Sequence, residues 1–211
     1  CLDTIVQSIE IYTVPVAGFS TNNICLYDPA VFTDTSTISS GSITSFDWDF
    51  GDGSTSATQT PTYLYLTDST YNVSLIVTTN NSCVDTVVQS LIIYPVPSPG
   101  FTTGNVCLYD AAVFTDITTI NAPDSVISWQ WDFGDNTSSI LQDPTHLYSA
   151  DSTYNVTLIV TSNNSCSDTI VQSIEIYTVP VAGYSTNNVC LYDPAAFTDT
   201  STISTGSISS F

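Results

Sequence analysis

A hexapeptide recurs in this chain: Trp48-Asp49-Phe50-Gly51-Asp52-Gly53 returns 83 residues later as Trp131-Asp132-Phe133-Gly134-Asp135-Asn136. The residues leading into it alternate. Phe46, Trp48 and Phe50 fall on one side of an extended strand and Asp47 and Asp49 on the other. A period of two sends the aromatics to a core and the carboxylates to water. Gly51-Asp52-Gly53 then breaks the run where a hairpin must reverse, because Gly adopts positive φ without steric cost and Asp tolerates it. The second copy ends in Asn136, the other residue that enters that region readily. Trp48, Phe50, Trp131 and Phe133 are therefore expected in the core of two equivalent β-sandwiches.

Around the hexapeptide lie Pro61-Thr-Tyr-Leu-Tyr65 and Tyr71-Asn-Val-Ser-Leu-Ile-Val77, matched by Pro144-Thr-His-Leu-Tyr148 and Tyr154-Asn-Val-Thr-Leu-Ile-Val160. In these strings the chain resembles PKD domains, in register along its whole length. The resemblance implies an all-β fold of tandem Ig-like, seven-stranded sandwiches in a linear array, used mostly as spacers or adhesion modules outside cells and carrying no shared catalytic site. The cysteine-bearing form is similar to tandem repeats of large surface proteins in gliding and biofilm-forming Gram-negative bacteria.

Composition narrows the partners. The chain has no Lys or Arg against 20 acidic residues, for a net charge of −20. Nucleic acid and anionic membrane surfaces are excluded as electrostatic partners, and the usual clamps for phosphate are missing. No apolar run is long enough for a membrane-spanning helix, so no membrane insertion is expected of these residues. No signal peptide is visible, which reads as a mature form or a fragment.

The repeats favour a fragment. Cys1, Cys83 and Cys166 are equivalent, as are Cys25, Cys107 and Cys190, and residues 1–46 and 166–211 differ at only 6 positions. The repeating unit is thus a pair of domains, and the chain reads as a stretch of a longer polymer. Residues 1–12 are expected as the last strand of a preceding domain, with Ile5, Gln7, Ile9 and Ile11 on one face. Complete domains are expected over 16–94 and 99–177, and the first strands of a third over 181–211. The first domain's strands are placed near 16–20, 29–36, 44–50, 54–58, 61–66, 70–78 and 84–94, with 20–28 irregular. Tyr71 and Tyr154 stand where Ig-like folds place a corner tyrosine.

Candidate sites are few. Asp47, Asp49 and Asp52 resemble an oxygen-ligand set for calcium, but the spacing misses the calcium-loop pattern by a residue and Gln130 replaces Asp47 in the sister repeat. A solvated strand face is the expectation, and no cofactor. His146, the single histidine, matches Tyr63 and reads as packing. Trp129 and Trp131 could form a sugar-stacking platform, yet they share the face of Phe133 and read as core. On the outward faces Ile76 and Ile92 are expected to expose an apolar contact patch, since Ile92 stands where Glu10 and Glu175 stand elsewhere.

Six cysteines without a Cys-x-x-Cys pair or histidine companions read as disulfides. Cys25 follows the first strand and Cys83 precedes the seventh, at opposite ends of a sandwich, whereas a disulfide needs Cα atoms within ~7 Å. An inter-domain Cys25–Cys166 bond is therefore favoured over an intra-domain Cys25–Cys83 bond, with Cys83 bonding backwards and Cys107 forwards along the array. Asn72 and Asn155 lie in matched Asn-x-Ser/Thr sequons, as do Asn80 and Asn163, with Asn136 unmatched. An Asp-Ser/Thr pattern at Thr4, Ser69, Thr86, Ser125, Ser152 and Thr169 is similar to an O-glycosylation signal of the bacterial group above, and ordinary turn chemistry accounts for it equally well. The expected function is a non-enzymatic extracellular structural protein that self-associates into a surface fibre, stalk or matrix filament. The alternative is an adhesin whose domains bind glycans or other surface proteins.

Overall fold

The structure, a computed structural model, describes residues 3–104 and 106–209. Cys1 and Phe211 lie outside the described residues, and with Cys1 the disulfide expected of it. The chain forms two compact units, Cys1–Val96 and Pro97–Phe211. No helix occurs among the described residues, so none is long and apolar enough to cross a membrane.

In the first unit nine strands follow one another: β1 (Phe19–Ser20), β2 (Ile24–Cys25), β3 (Pro29–Val31), β4 (Thr33–Asp34), β5 (Ile43–Asp49), β6 (Thr55–Ser56), β7 (Thr62–Leu64), β8 (Ser69–Thr79) and β9 (Val84–Tyr94). One five-stranded sheet has the order β2-β9-β8-β5-β6, and two two-stranded pairs, β1-β4 and β3-β7, close over its inner face. Alternation sets which residues meet there. Along β8, Tyr71, Val73, Leu75 and Val77 are buried while Asn72 and Ile76 face out. Trp48 and Phe50 of the β5 run receive Phe19 and Phe32 edge-on or tilted, with ring centroids 5.1–5.5 Å apart for Phe19–Trp48, Phe32–Trp48 and Phe32–Phe50. Each large apolar side chain so removed from water contributes about 1.5–3 kcal/mol. The Trp48 indole N–H is satisfied by the Thr58 carbonyl at 2.9 Å.

The second unit repeats the plan with β10 (Phe101–Thr103), β11 (Val106–Cys107), β12 (Ala112–Asp116), β13 (Val126–Asp132), β14 (Ser138–Ser139), β15 (Thr145–His146), β16 (Thr153–Ser162) and β17 (Ser167–Tyr177). Its five-stranded sheet runs β11-β17-β16-β13-β14. Trp131 and Phe133 are each 2% exposed in its core, and the Trp131 indole donates to the Leu141 carbonyl at 2.9 Å. β18 (Tyr184–Thr186) and β19 (Phe197–Asp199) form a separate exposed antiparallel pair. Tyr71 Oη donates to the Thr67 carbonyl at 3.0 Å, and Tyr154 Oη to the Ala150 carbonyl at 3.0 Å. Both are the tyrosine corner of Ig-like folds.

Two expectations change. The stretch over 20–28 is not merely irregular: β2 runs parallel to the end of β9, pairing Ile24 with Ile93 and Cys25 with Tyr94. Asn23 holds it there, accepting from Ile92 N–H at 2.9 Å and donating to Tyr94 Oη at 3.3 Å. Of the strand expected over 1–12, residues 3–12 are described. Residues 3–12 carry no strand and are exposed throughout. Their ten-residue sequence is identical to 168–177, which lies within β17 and pairs with β16 along its length. Strand pattern alone does not make a strand, because its N–H and C=O groups need a neighbour to bond.

Candidate functional site

The hexapeptide turn is built from its own carboxylates. Asp49 Oδ1 accepts from Gly51 N–H at 2.8 Å, Asp52 Oδ1 from Ser54 N–H at 2.9 Å, and Phe50 N–H donates to the Ser54 carbonyl at 3.0 Å. The sister turn repeats the first two bonds, from Asp132 to Gly134 and from Asp135 to Thr137, at 2.9 and 3.0 Å. Gly53 has φ +92° and Asn136 φ +70°, so both occupy the left-handed position. Asp49 and Asp52 are thus engaged in the turn, while Asp47 faces outward from β5. Among the described residues no group of three or more His, Cys, Asp or Glu is placed to hold a metal ion.

Behind the turn a ring stacks on the core. Tyr63 lies 4.3 Å from Phe50 at an interplanar angle of 9°, and its hydroxyl donates to Asp52 Oδ2 at 2.7 Å. His146 takes the same place in the second unit, 4.3 Å from Phe133 at 4°, with Nε2 2.7 Å from Asp135 Oδ2. A flat ring carrying one polar atom toward the aspartate is what the position requires, and Tyr and His both supply it. Burial pushes the Asp135 carboxyl up, but hydrogen bonds from Thr137 and His146 outweigh it and hold the group below its ordinary value. Trp129 is half-buried against the second core, its indole donating to Asp116 Oδ2 at 2.8 Å.

Outside the five-stranded sheet lies a shallow groove of about 470 Å³, lined among others by Asp47, Asp49, Thr55, Ser56, Ser74 and Ile76. An equivalent groove of about 280 Å³ in the second unit is lined by Gln130, Asp132, Ser138, Ser139, Thr157 and Ile159 among others. Ile76 therefore has an outward counterpart, Ile159, and is no mark of one domain type. Nor do Ile76 and Ile92 form one patch. Ile76 sits opposite Thr86 and Ile92 opposite Thr70, so six residues of strand, about 20 Å, separate them.

Among the described cysteines, Cys25 and Cys166 are disulfide-bonded, and Cys83, Cys107 and Cys190 are free thiols. The register of β2 explains why Cys25 and Cys83 stay apart. Cys25 pairs with Tyr94 at the far end of β9, and Cys83 directly precedes its first residue, Val84. Ten steps of antiparallel strand span about 34 Å, far beyond disulfide reach. The hydroxyl candidates Thr4, Ser69, Thr86, Ser125, Ser152 and Thr169 are all exposed, as are Asn72, Asn80, Asn136, Asn155 and Asn163. Asp85, beside Thr86, accepts from Ala17 N–H at 2.8 Å, and Asp168 accepts from Thr169 N–H at 2.7 Å. One further repeated string, Cys-Leu-Tyr-Asp at 25–28, 107–110 and 190–193, places an exposed tyrosine at each turn. Its threefold recurrence was the signal available in the sequence.

The PKD domain family matches residues 13–93 and again residues 95–177. The chain belongs to the PKD domain family. It is 36% identical to the PKD1 domain of the Vibrio cholerae metalloprotease PrtV, covering 38% of this chain and 96% of that one with a TM-score of 0.36. To the PKD1 domain of Vibrio anguillarum Epp it is 28% identical, covering 39% of this chain and 96% of that one, TM-score 0.38. It is also 42% identical over 60 residues to a microbial collagenase of Vibrio alginolyticus, a match spanning 28% of this chain and 7% of that protein's length. PKD domains are generally non-catalytic, although they occur in proteases. They occur in secreted bacterial proteins, and a disulfide fits a non-reducing environment.

Proposed function

We propose that these PKD domains are part of a non-enzymatic extracellular structural protein that forms a surface fibre, stalk or matrix filament. What supports this reading most is the cysteine pattern: Cys25 and Cys166 are bonded while Cys83, at the repeat position of Cys166, is free. On this reading a Cys25–Cys166 bond ties one bead to the next, and the proline-bearing segment Pro95–Pro99 loses the freedom of an open linker. The acidic groups of the hexapeptide support it too, since they are spent on turns rather than gathered around a reacting centre. Electron microscopy of the native material tests the proposal. Regular filaments are expected, and dispersed globular particles would overturn it.

The adhesin reading is favoured by one observation, the equivalent grooves with hydroxyl and carboxylate linings in both domains. Binding of glycans or surface proteins that is lost on substituting Asp47 and Ser74 would replace the structural reading with this one. Sugar carried at Thr86 and Thr169 would raise the mass of native peptides that contain them by regular increments. Native peptides without such increments would remove glycosylation from the proposal.

A further inference from the structure

Cys25-Leu-Tyr-Asp28, Cys107-Leu-Tyr-Asp110 and Cys190-Leu-Tyr-Asp193 close the same four-residue turn. In each, the aspartate N–H donates to the cysteine carbonyl, at 3.1, 3.0 and 3.0 Å. The third residue of each turn has positive φ: +71° at Tyr27, +75° at Tyr109 and +73° at Tyr192. Glycine or asparagine is the usual occupant of that position, and a bulky side chain there is an outlier held by its surroundings. In the first two turns the holding is visible. Leu26 N–H donates to the Tyr94 carbonyl and Leu108 N–H to the Tyr177 carbonyl, both at 2.8 Å, fixing the turn to the last strand.

The tyrosines do not serve the cores. In the two complete domains Tyr27 and Tyr109 are 65% and 74% exposed, and glycine would suit the backbone better. What recurs in three places at a conformational cost is an exposed tyrosine, on a base that is bonded to the last strand in the first two. Its surroundings select the ligand's charge. The chain carries −20 with no Lys or Arg, and each tyrosine is followed by an exposed aspartate, Asp28, Asp110 or Asp193. The negative face of a phenol ring beside a carboxylate attracts cations and repels anions. A second copy of this chain has no cationic side chain to offer.

We propose that Tyr27, Tyr109 and Tyr192 are three copies of one docking element for the Arg and Lys side chains of a basic partner protein. Each contact is weak by itself, and their recurrence at steps of 82 and 83 residues allows one partner or a row of partners to engage several at once. The proposal goes beyond the structural role and holds whether or not filaments form.

An oligoarginine peptide titrated into the 211-residue chain at about 150 mM salt tests it. The triple variant Tyr27→Gly, Tyr109→Gly, Tyr192→Gly keeps the net charge, so general attraction to the acidic surface is retained. It also relieves the positive φ, so its unfolding midpoint is expected to equal or exceed that of the parent. Binding is expected to weaken about tenfold or more in this variant, and to survive in the triple Tyr→Phe variant, which keeps the rings. Equal affinity in the parent and the glycine variant would overturn the proposal. So would tyrosine-dependent binding of a neutral cello-oligosaccharide with no tyrosine-dependent binding of the peptide, which would make the partner a glycan.

Discussion

Gly51 shows how closely one residue is constrained. Its φ is +83°, and a Cβ built there would stand 2.7 Å from the Asn72 carbonyl oxygen, a backbone atom that cannot turn aside. Gly53, two residues on, has φ +92° but nothing within 4 Å of the same position. Gly51→Ala therefore carries both a left-handed penalty and a clash, and is expected to destabilise the first domain by about 3 kcal/mol or more, against about 1 kcal/mol for Gly53→Ala. Denaturant unfolding of the two variants checks the difference. Gly53→Asn is expected to be near neutral, because Asn136 already holds that place in the sister turn. Asp116 supplies a second prediction. Burial raises its carboxyl, but the Thr118 hydroxyl and N–H, the Trp129 indole and Gln142 outweigh that and hold it below its ordinary value. A carboxyl lower in the folded chain than in the unfolded one stabilises above its unfolded pKa, and that contribution is lost as pH falls through the folded value. The second domain is expected to lose stability below about pH 4, and Asp116→Asn to flatten that loss while costing about 1–3 kcal/mol at neutral pH through its weakened hydrogen bonds. Urea unfolding between neutral and acid pH reads both effects.

At the scale of the element, β2 is the least self-sufficient strand and the most consequential. Two residues long, it is held parallel to β9 by Asn23 on one side and Leu26 on the other. Its position sends Cys25 to the end of the sandwich opposite Cys83. Asn23→Ala removes the acceptor of Ile92 N–H and is expected to cost about 1 kcal/mol. Amide exchange at Ile92 should accelerate while that of Leu75, in the middle of the same sheet, stays slow. Unchanged exchange at Ile92 would show that β2 stays in place without the side chain. The short β6 and the open outer grooves belong to this scale as well, since two paired residues leave most of that flank of β5 uncovered.

For the whole molecule, the proposed Cys25–Cys166 bond would bear most on mechanical behaviour. Non-reducing peptide mapping is expected to yield a peptide pair containing Cys25 and Cys166 and none containing Cys25 and Cys83. A Cys25–Cys83 pair would contradict the register of β2 and leave stiffness to the prolines alone. Reduction is expected to leave the near-ultraviolet signal of the buried Trp48 and Trp131 intact, because each core is complete within its own unit. A joint loss of both signals on reduction would mean that the cores depend on the bond.

The sandwiches were legible in the sequence. Alternating aromatics and a glycine-aspartate turn are local properties, and they named the buried faces of β5, β8, β13 and β16; the corner tyrosines came from the resemblance to Ig-like folds. The left-handed place of Asn136 was legible in the same way, from the kinds of residue that tolerate it. What each strand pairs with was not legible there. The sequence shared by 3–12 and 168–177 is a strand in one place and not in the other, because a hydrogen-bonded ladder requires a neighbour and alternation does not name one. Register separated Ile76 from Ile92 for the same reason: period two reports the face of a residue but not its distance along the partner strand. The positive φ of Tyr27, Tyr109 and Tyr192 was hidden too, since nothing in a tyrosine announces it. All three copies of the turn carry that conformation, and the first two are also bonded to the last strand of their unit.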